Sequence, residues 1–246
     1  TKNDPEIIVS TKWGYTYVAD FDPNAKEHEV KEHSNEKLNE QWEFSKILLP
    51  HLNVYQIHSA TLETGVLENE EVLKRLHEIK KAHNIIIGLT TTSDNQTEVL
   101  AKGLSIEVEG EKLFQSFQCT FNILDQSVFQ CFDELQDISG PFIIKEALAN
   151  GRLIPNNRNS KYTLLYDFLM ELADKYKVGA DAIAMRYCMD KFPKAKVLSG
   201  ADNCIHLRAN LRANQFSLTQ DELEKLDSFG IAPTEYWQER KSLEWN

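Results

Sequence analysis

The sequence predicts an α/β protein in which parallel strands alternate with helices around a barrel. Apolar runs rich in β-branched residues alternate with stretches of helical period, and most of these runs recur at about 30 residues, the length of one βα unit. The runs are apolar throughout, as in strands that are covered on both faces. Six strands are predicted, at residues 6–12, 53–59, 84–90, 113–122, 141–148 and 195–201.

A polar residue stands at or near the end of each predicted strand, and this bears on the architecture. Alternating strands and helices fit either a closed eight-stranded barrel or an open doubly wound sheet. No G-x-G-x-x-G follows the first strand, which weakens the open-sheet reading. Polar strand ends fit the functional face of a barrel instead. These residues are Lys12, His58, Thr90, Gln118, Lys145 and Ser199.

Helix signals between the strands support the alternation. Ser34 is placed to cap a helix over 35–49, and Asn69 to cap a helix over 70–81 that is acidic at its start and basic at its end. Thr219 and Glu222 have the spacing of a capping box, with Gly230 predicted to end that helix. No linker interrupts the pattern, so one domain is predicted over residues 1–246.

Composition restricts the class of protein. The 246 residues are 41% hydrophobic with a net charge of −11, which suits one large core and disfavours a nucleic-acid partner. No run approaches the roughly 18 to 20 apolar residues of a membrane helix, and no signal-peptide pattern opens the chain. The four cysteines lack metal-site or disulfide-framework spacing, so we expect a cytoplasmic protein without a structural metal.

Two strand-end residues are candidates for chemistry. His58 ends the second predicted strand and Lys12 ends the first. A histidine there is most often a structural residue, and a lysine there is as often a surface residue. If functional, the lysine has two established uses, which are to form a Schiff base with a carbonyl or to lower the pKa of a neighbouring acid. Spacing alone does not separate them.

Motifs along nearly the whole chain narrow this choice. "IIVSTKWG", "LNVYQIHSA", "IIIGLTTT", "FQCTFN", "IIKEALANGRL" and "VLSGADNCIHLRANL" resemble, in order and spacing, the aldo-keto reductases. The resemblance implies a (β/α)8 barrel that binds NADPH and reduces an aldehyde or ketone by hydride transfer. It matches Lys12 to the lysine that lowers the pKa of a catalytic tyrosine, and His58 to the histidine that polarises the substrate carbonyl.

The resemblance also implies cofactor and substrate positions. Thr90, Thr91 and Gln118 match residues that hold the nicotinamide carboxamide, and Trp13 and Tyr15 would line the substrate pocket, with Trp237 and Trp245 as weaker candidates. Lys145 replaces an aromatic ring that often stacks on the nicotinamide, and Gly200 replaces a lysine that some members use for the 2′-phosphate. The remaining candidates for the pyrophosphate and adenosine are Leu148, Gly151, Leu153, Gly200, Ala201, His206, Arg208 and Asn210.

One departure from the family pattern concerns the start of the chain. By this resemblance the six predicted strands are strands 3 to 8 of the barrel, and the catalytic aspartate and tyrosine would precede Thr1. We therefore expect residues 1–246 alone to lack the general acid and to be inactive. Two alternatives stay open: a non-catalytic barrel that binds a nucleotide or a partner, and a Schiff-base lyase that uses Lys12 or Lys145.

Overall fold

A computed structural model describes residue 4 and residues 7–22, 25–156 and 160–243. The described chain forms two compact units. The first takes the described residues up to Thr92 together with Glu98–Gln118 and Ile138–Gly140, and the second takes Ser93–Thr97, Cys119–Asp137 and the described residues from Pro141 onward.

The first unit is built on parallel strands with helices between them. The strands β1, β4, β5 and β8 lie side by side in that order and pair in parallel. Two short antiparallel hairpins, β2 with β3 and β6 with β7, were not predicted. In chain order the elements are β1 (Val9–Trp13), β2 (Tyr15–Tyr17), β3 (Glu29–Lys31), α1 (Asn35–Ser45), β4 (Leu52–Ala60), α2 (Glu70–His83), β5 (Ile86–Thr91), α3 (Gln96–Ser105), β6 (Glu107–Val108), β7 (Glu111–Lys112) and β8 (Ser116–Thr120).

Both predicted helix caps in this unit are confirmed. The Ser34 hydroxyl accepts a hydrogen bond from the backbone N–H of Lys37, and the Asn69 side chain accepts one from Val72. Each cap satisfies a backbone donor that the first helical turn leaves without a partner. The apolar face of α1 points inward, with Leu38 buried and Trp42 packed edge-on against Tyr55 of β4 at 5.1 Å between ring centroids.

The second unit contains the remaining strands and helices. Its strands β9 and β10 pair in parallel. Cys119 and Thr120, the last two residues of β8, belong to this second unit rather than to the first. In chain order its elements are α4 (Phe132–Gln136), β9 (Phe142–Lys145), α5 (Thr163–Tyr176), α6 (Ala180–Lys191), β10 (Lys196–Val197), α7 (Cys204–Leu211), α8 (Gln220–Asp227) and α9 (Pro233–Lys241).

The core of this unit centres on aromatic rings. Phe192 is fully buried and contacts Phe121 edge-on at 4.9 Å and Phe142 at 5.0 Å, while Phe121 stacks on Tyr187 at 5.7 Å. Offset and edge-on ring pairs of this kind add stability beyond the apolar area that they bury. The cluster therefore fixes β9 and α6 against the segment that follows β8.

The capping box at α8 is confirmed, whereas the predicted helix end is wrong by a few residues. The Thr219 side chain accepts from the Glu222 N–H and the Glu222 side chain accepts from the Thr219 N–H. The helix ends at Asp227, and Gly230 lies in the turn that follows, where its N–H donates to the Asp227 carbonyl. A glycine that follows a helix indicates roughly where the helix ends, but it does not identify the last helical residue.

Each of the six predicted strands has an observed counterpart, though the observed strands are shorter at several ends. The first prediction began at Glu6, which lies outside the described residues, and the observed strand begins at Val9. Among the helices that the structure describes, none is long and apolar enough to cross a membrane.

Candidate functional site

The strand register of the first unit places the predicted polar residues in rows. Lys12 pairs with Gln56 and Gln56 with Gly88 across neighbouring parallel strands. His58 lies two residues beyond Gln56, and Thr90 two residues beyond Gly88. Because side chains alternate along a strand, Thr90 lies on the same face of β5 as Gly88 and one step closer to the strand end, whereas His58 falls within a shift of the β4–β5 register between Ile57 and Ala60.

Gln118 completes the second row. It pairs with Thr90 across β5 and β8, as Ser116 pairs with Gly88 in the first row. The sequence predicted these strand ends separately, and the register aligns Thr90 with Gln118, while His58 lies at the register shift near the end of the neighbouring strand β4. Thr91 is the next residue of β5 and is fully buried.

A glycine in the first row lets two polar side chains meet across a strand. The amide nitrogen of Gln56 donates to the Ser116 hydroxyl at 3.4 Å although β5 lies between them. Gly88 occupies the intervening position, and a Cβ there would lie 2.5 Å from the Ser116 carbonyl oxygen and 3.1 Å from Cγ of Gln56. A side chain at residue 88 would separate the pair.

His58 is held on two sides. The ring of Tyr15 packs on its imidazole, with 4.5 Å between ring centroids and a 55° angle between planes. Its backbone carbonyl lies 3.0 Å from Nε2 of His33. A carbonyl oxygen only accepts, so His33 carries a proton on Nε2 and donates it.

The backbone after His58 turns sharply and is also tied down. Ser59 has a positive φ of 52°. Its N–H donates to the Thr90 hydroxyl at 2.7 Å, and its carbonyl accepts from the Lys31 ammonium at 3.1 Å. The Lys31 ammonium also lies 5.5 Å from the centre of the Tyr15 ring. The hairpin that follows β1 therefore fixes the end of β4, and the Thr90 hydroxyl is already engaged as a hydrogen-bond acceptor.

His33 is a buried, neutral histidine that sequence reasoning did not single out. Burial, opposed by the hydrogen bond to the His58 carbonyl and reinforced by nearby Lys31, lowers the pKa of His33 from 6.5 to about 4. Its ring contacts Trp13 edge-on at 5.6 Å between centroids. It also lies against Gly14, where an added Cβ would be 2.3 Å from Cδ2 of the imidazole.

Lys12 is the penultimate residue of β1. Its side chain is exposed, yet the surrounding protein displaces enough water that burial lowers the pKa of the ammonium from its usual range. Among the described residues no ion pair to this ammonium is found. A lysine so placed gives up its proton more readily than a lysine in water.

The two residues predicted to line a substrate pocket lie in different environments. Trp13 is only 1% exposed and packs inward, so its position does not support a pocket-lining role. Tyr15 is half-exposed and contacts His58. Gln41 holds the loop between them: its side-chain oxygen accepts from the Gly14 N–H at 2.8 Å, and its nitrogen donates to the Tyr15 carbonyl at 2.7 Å.

The second unit contains a cavity of about 830 Å³. Seven of the twelve predicted cofactor-binding residues line it, and the other five, Thr90, Thr91, Gln118, Leu153 and Arg208, do not. Sequence reasoning missed the contributions of Met170 from α5 and of Ala180 and Asp181 from α6, since no motif marks them. The predicted residues that line the cavity are Lys145, Leu148, Gly151, Gly200, Ala201, His206 and Asn210.

One wall of the cavity is the loop that follows β9. Its backbone has positive φ at Glu146 (57°), Ala149 (49°), Asn150 (55°) and Gly151 (84°). Residues with side chains rarely adopt this conformation, so contacts from elsewhere must hold it. At its start, the Lys145 ammonium lies 5.7 Å from the centre of the Trp237 ring of α9.

The opposite wall follows β10 and enters α7. Asn203 caps α7 by accepting from the N–H groups of Ile205 and His206 at 2.9 Å each. Nδ1 of His206 contacts the Asp202 carboxylate at 2.9 Å, and the Asn210 side chain donates to the Ser199 hydroxyl at 2.8 Å. Arg208 is exposed on the same helix. Trp245 lies outside the described residues.

Solved structures share this fold at low sequence identity. The aldo-keto reductase AKR11C1 from Bacillus halodurans in its holo form matches with a TM-score of 0.66 and 20% identity, covering 92% of this chain and 73% of that one. The glycerol dehydrogenase AKR11B4 from Gluconobacter oxydans matches with a TM-score of 0.68 and 19% identity, covering 90% and 71%. A variant of Gox0644 in complex with NADPH matches at 0.66 and 16%, covering 99% and 78%. The fold is therefore the α/β fold of aldo-keto reductases.

The sequence gives the family directly. The model of the Aldo/keto reductase family matches residues 1–231. The chain belongs to the aldo/keto reductase family, a family of oxidoreductases that use NADPH. The resemblance read from the motifs is confirmed. No curated protein matches the sequence at a significant level.

Proposed function

We propose that the protein is an NADPH-dependent oxidoreductase that reduces an aldehyde or ketone to an alcohol. The observation that carries the proposal is the cavity of the second unit, because it gathers seven residues that the family motifs nominate for the cofactor. Family membership over residues 1–231 supports the same chemistry. NADPH, when bound, supplies the hydride.

The cavity suits a dinucleotide in size and in chemistry. Its volume of about 830 Å³ lies in the range of cofactor pockets. The Asn203 side chain already accepts from the Ile205 and His206 N–H groups, so the N-terminus of α7 favours an anion such as a phosphate through the helix dipole. His206 lies in the first turn of that helix and would approach the adenosine end, with the exposed Arg208 as a charge partner nearby. Lys145 at the end of β9 would approach the nicotinamide end.

Lys12 and His58 of the first unit are the proposed catalytic residues. Hydride addition to a carbonyl carbon leaves negative charge on the oxygen, which requires a nearby donor and a preorganised electrostatic partner. His58 is suited to orient and polarise the carbonyl because Tyr15 and His33 fix its ring and its backbone. Lys12, whose pKa burial lowers, would favour ionisation of the acid that protonates the oxygen. Thr90, Thr91 and Gln118 are proposed to hold the carboxamide.

The proposed reduction also requires a general acid that protonates the carbonyl oxygen. No tyrosine of residues 1–246 matches the family's proton donor by motif. We therefore expect this chain by itself to bind NADPH while reducing carbonyls very slowly. A nucleotide-binding module without turnover is the second candidate function, and the same observation favours it.

Titration and turnover measured on the same sample distinguish these functions. Quenching of protein fluorescence by NADPH reports binding, and loss of NADPH absorbance with a panel of small aldehydes and ketones reports reduction. If NADPH binds and carbonyls are reduced, and if the rate of reduction falls in His58→Gln, the reductase function is supported. Binding without turnover supports the module, and a chain that is folded but does not quench refutes both.

We further propose that the six parallel strands correspond to strands 3 to 8 of an eight-stranded barrel forming one domain. The family match and the predicted strand order support this assignment. A cytoplasmic location is also a proposal, supported by the four free cysteines, which a reducing compartment maintains.

A further inference from the structure

The loop that begins at Glu146 forms one wall of the cavity and holds an unfavourable backbone conformation. Glu146 follows Lys145 directly, and both residues line the cavity. Its φ of 57° lies in the left-handed region, which a residue with a side chain rarely adopts. Some contact outside the loop must therefore hold Glu146 in place.

Helix α9 supplies that contact through both oxygens of the Glu146 carboxylate. The Tyr236 hydroxyl donates to Oε2 at 3.0 Å, and Nε of Arg240 donates to Oε1 at 3.2 Å. The Asn122 side chain donates both to the Glu146 carbonyl at 2.9 Å and to the Tyr236 hydroxyl at 3.0 Å. The Glu146 side chain is only 10% exposed, so solvent weakens these bonds little.

The same helix also holds the far end of the loop. Arg152 is buried, and its guanidinium lies 4.0 Å from the centre of the Tyr236 ring. It donates from Nε to the Ala149 carbonyl at 2.9 Å and from NH1 to the Tyr236 carbonyl at 3.2 Å. Tyr236 therefore contacts both ends of residues 146–152, while Ala147, Leu148, Asn150 and Gly151 between them line the cavity.

We propose that Glu146 is a positioning residue, and that α9, by gripping it through Tyr236 and Arg240, holds loop 146–152 in the conformation that lines the cavity. The consequence for cofactor affinity rests on the proposed function, in which NADPH occupies this cavity. Glu146 itself need not touch the cofactor, because its carboxylate is engaged by α9. Helix α9 would then influence the affinity for NADPH although its residues do not line the cavity.

Amide hydrogen exchange tests the grip without reference to any ligand. In Glu146→Ala and in Tyr236→Phe, the amides of residues 147–154 should exchange about tenfold faster, as expected when a hydrogen bond to a charged group is lost. Glu146→Gln keeps one acceptor oxygen and should fall between the wild type and the alanine variant. Tyr236→Phe keeps the ring on Arg152, so its effect isolates the hydroxyl.

A matched control lies on the same helix. Glu235 pairs with Lys161 at 2.6 Å and does not contact Glu146 in the structure. Glu235→Gln should weaken the attachment of α9 elsewhere while leaving exchange of residues 147–154 at the wild-type rate. Equal acceleration in the control and in Glu146→Ala would mean that the loop responds to loss of any α9 contact, and would overturn the specific grip.

NADPH titration tests the consequence. Glu146→Ala and Tyr236→Phe should weaken NADPH binding by about tenfold, and Glu235→Gln should not. Wild-type exchange in the loop of Glu146→Ala overturns the grip whatever the titration shows. If exchange in the loop is faster but the NADPH affinity is unchanged, the proposal that α9 influences NADPH affinity is overturned. A wild-type chain that does not bind NADPH refutes the proposed function and the control of affinity, while the exchange data still decide the grip.

Discussion

Replacing His33 with glutamine should remove a specific part of the pH dependence of stability. The unfolded-state pKa is near 6.5 and the folded-state pKa is about 4, because burial disfavours the imidazolium. Folding therefore favours the neutral ring, and protonation of the unfolded chain destabilises the fold as the pH drops below 6.5. The penalty grows by about 1.4 kcal/mol per pH unit and levels off near pH 4, at roughly 3 kcal/mol.

Urea unfolding at pH 7 and pH 5 measures this effect. Between these two values the wild type should lose roughly 2 kcal/mol more unfolding free energy than His33→Gln, since glutamine does not titrate. Other titrating groups contribute equally to both proteins and cancel in the comparison. An NMR titration of the His33 ring should give a midpoint well below 6.5. Identical pH dependence in the two proteins, or a midpoint near 6.5, would refute the buried, neutral assignment.

Two further substitutions test other parts of the structure. Gly14→Ala should lower the unfolding free energy by at least about 2 kcal/mol in a urea titration, because φ is 109° and the new Cβ would meet the His33 ring. Gly65→Ala is the control, since Gly65 also has a positive φ but has open space around it. Its unfolding free energy should fall by less. At Glu222, burial alone would raise the pKa, but hydrogen bonds led by that from Lys175 lower it to about 2. Glu222→Gln should therefore lower the free energy of unfolding by roughly 1–2 kcal/mol at pH 7. The difference between the two proteins should shrink as the pH falls from 4.5 toward 2. An undiminished difference at pH 3 would contradict the lowered pKa of Glu222.

Much of the local structure could be predicted because its determinants lie close together in the chain. The Ser34 and Asn69 caps and the Thr219–Glu222 capping box each involve residues three apart, and all of them are present. The strands were recognisable from continuous apolar runs, whose signal also lies within a few residues. Family motifs nominated strand-end residues, two of which, Thr90 and Gln118, are register partners in the structure.

Other features depend on partners that are distant in sequence. His33 meets the His58 carbonyl across 25 residues, and Tyr236 reaches Glu146 across 90. Neither contact has a local pattern, since each arises from how separate elements pack. Trp13 shows the same dependence: its burial, at 1% exposure and edge-on against His33, follows from how separate elements pack.

The order of strands and helices, the caps and the family were therefore legible in the linear chain, because periodicity, capping and motif spacing act over short distances. The neutral state of His33, the pairing of Thr90 with Gln118, and the contacts of α9 with the loop at Glu146 were decided by the tertiary structure. These features arise when segments far apart in sequence exclude water from one another, since that exclusion shifts the pKa of His33 and strengthens the hydrogen bonds that fix Glu146.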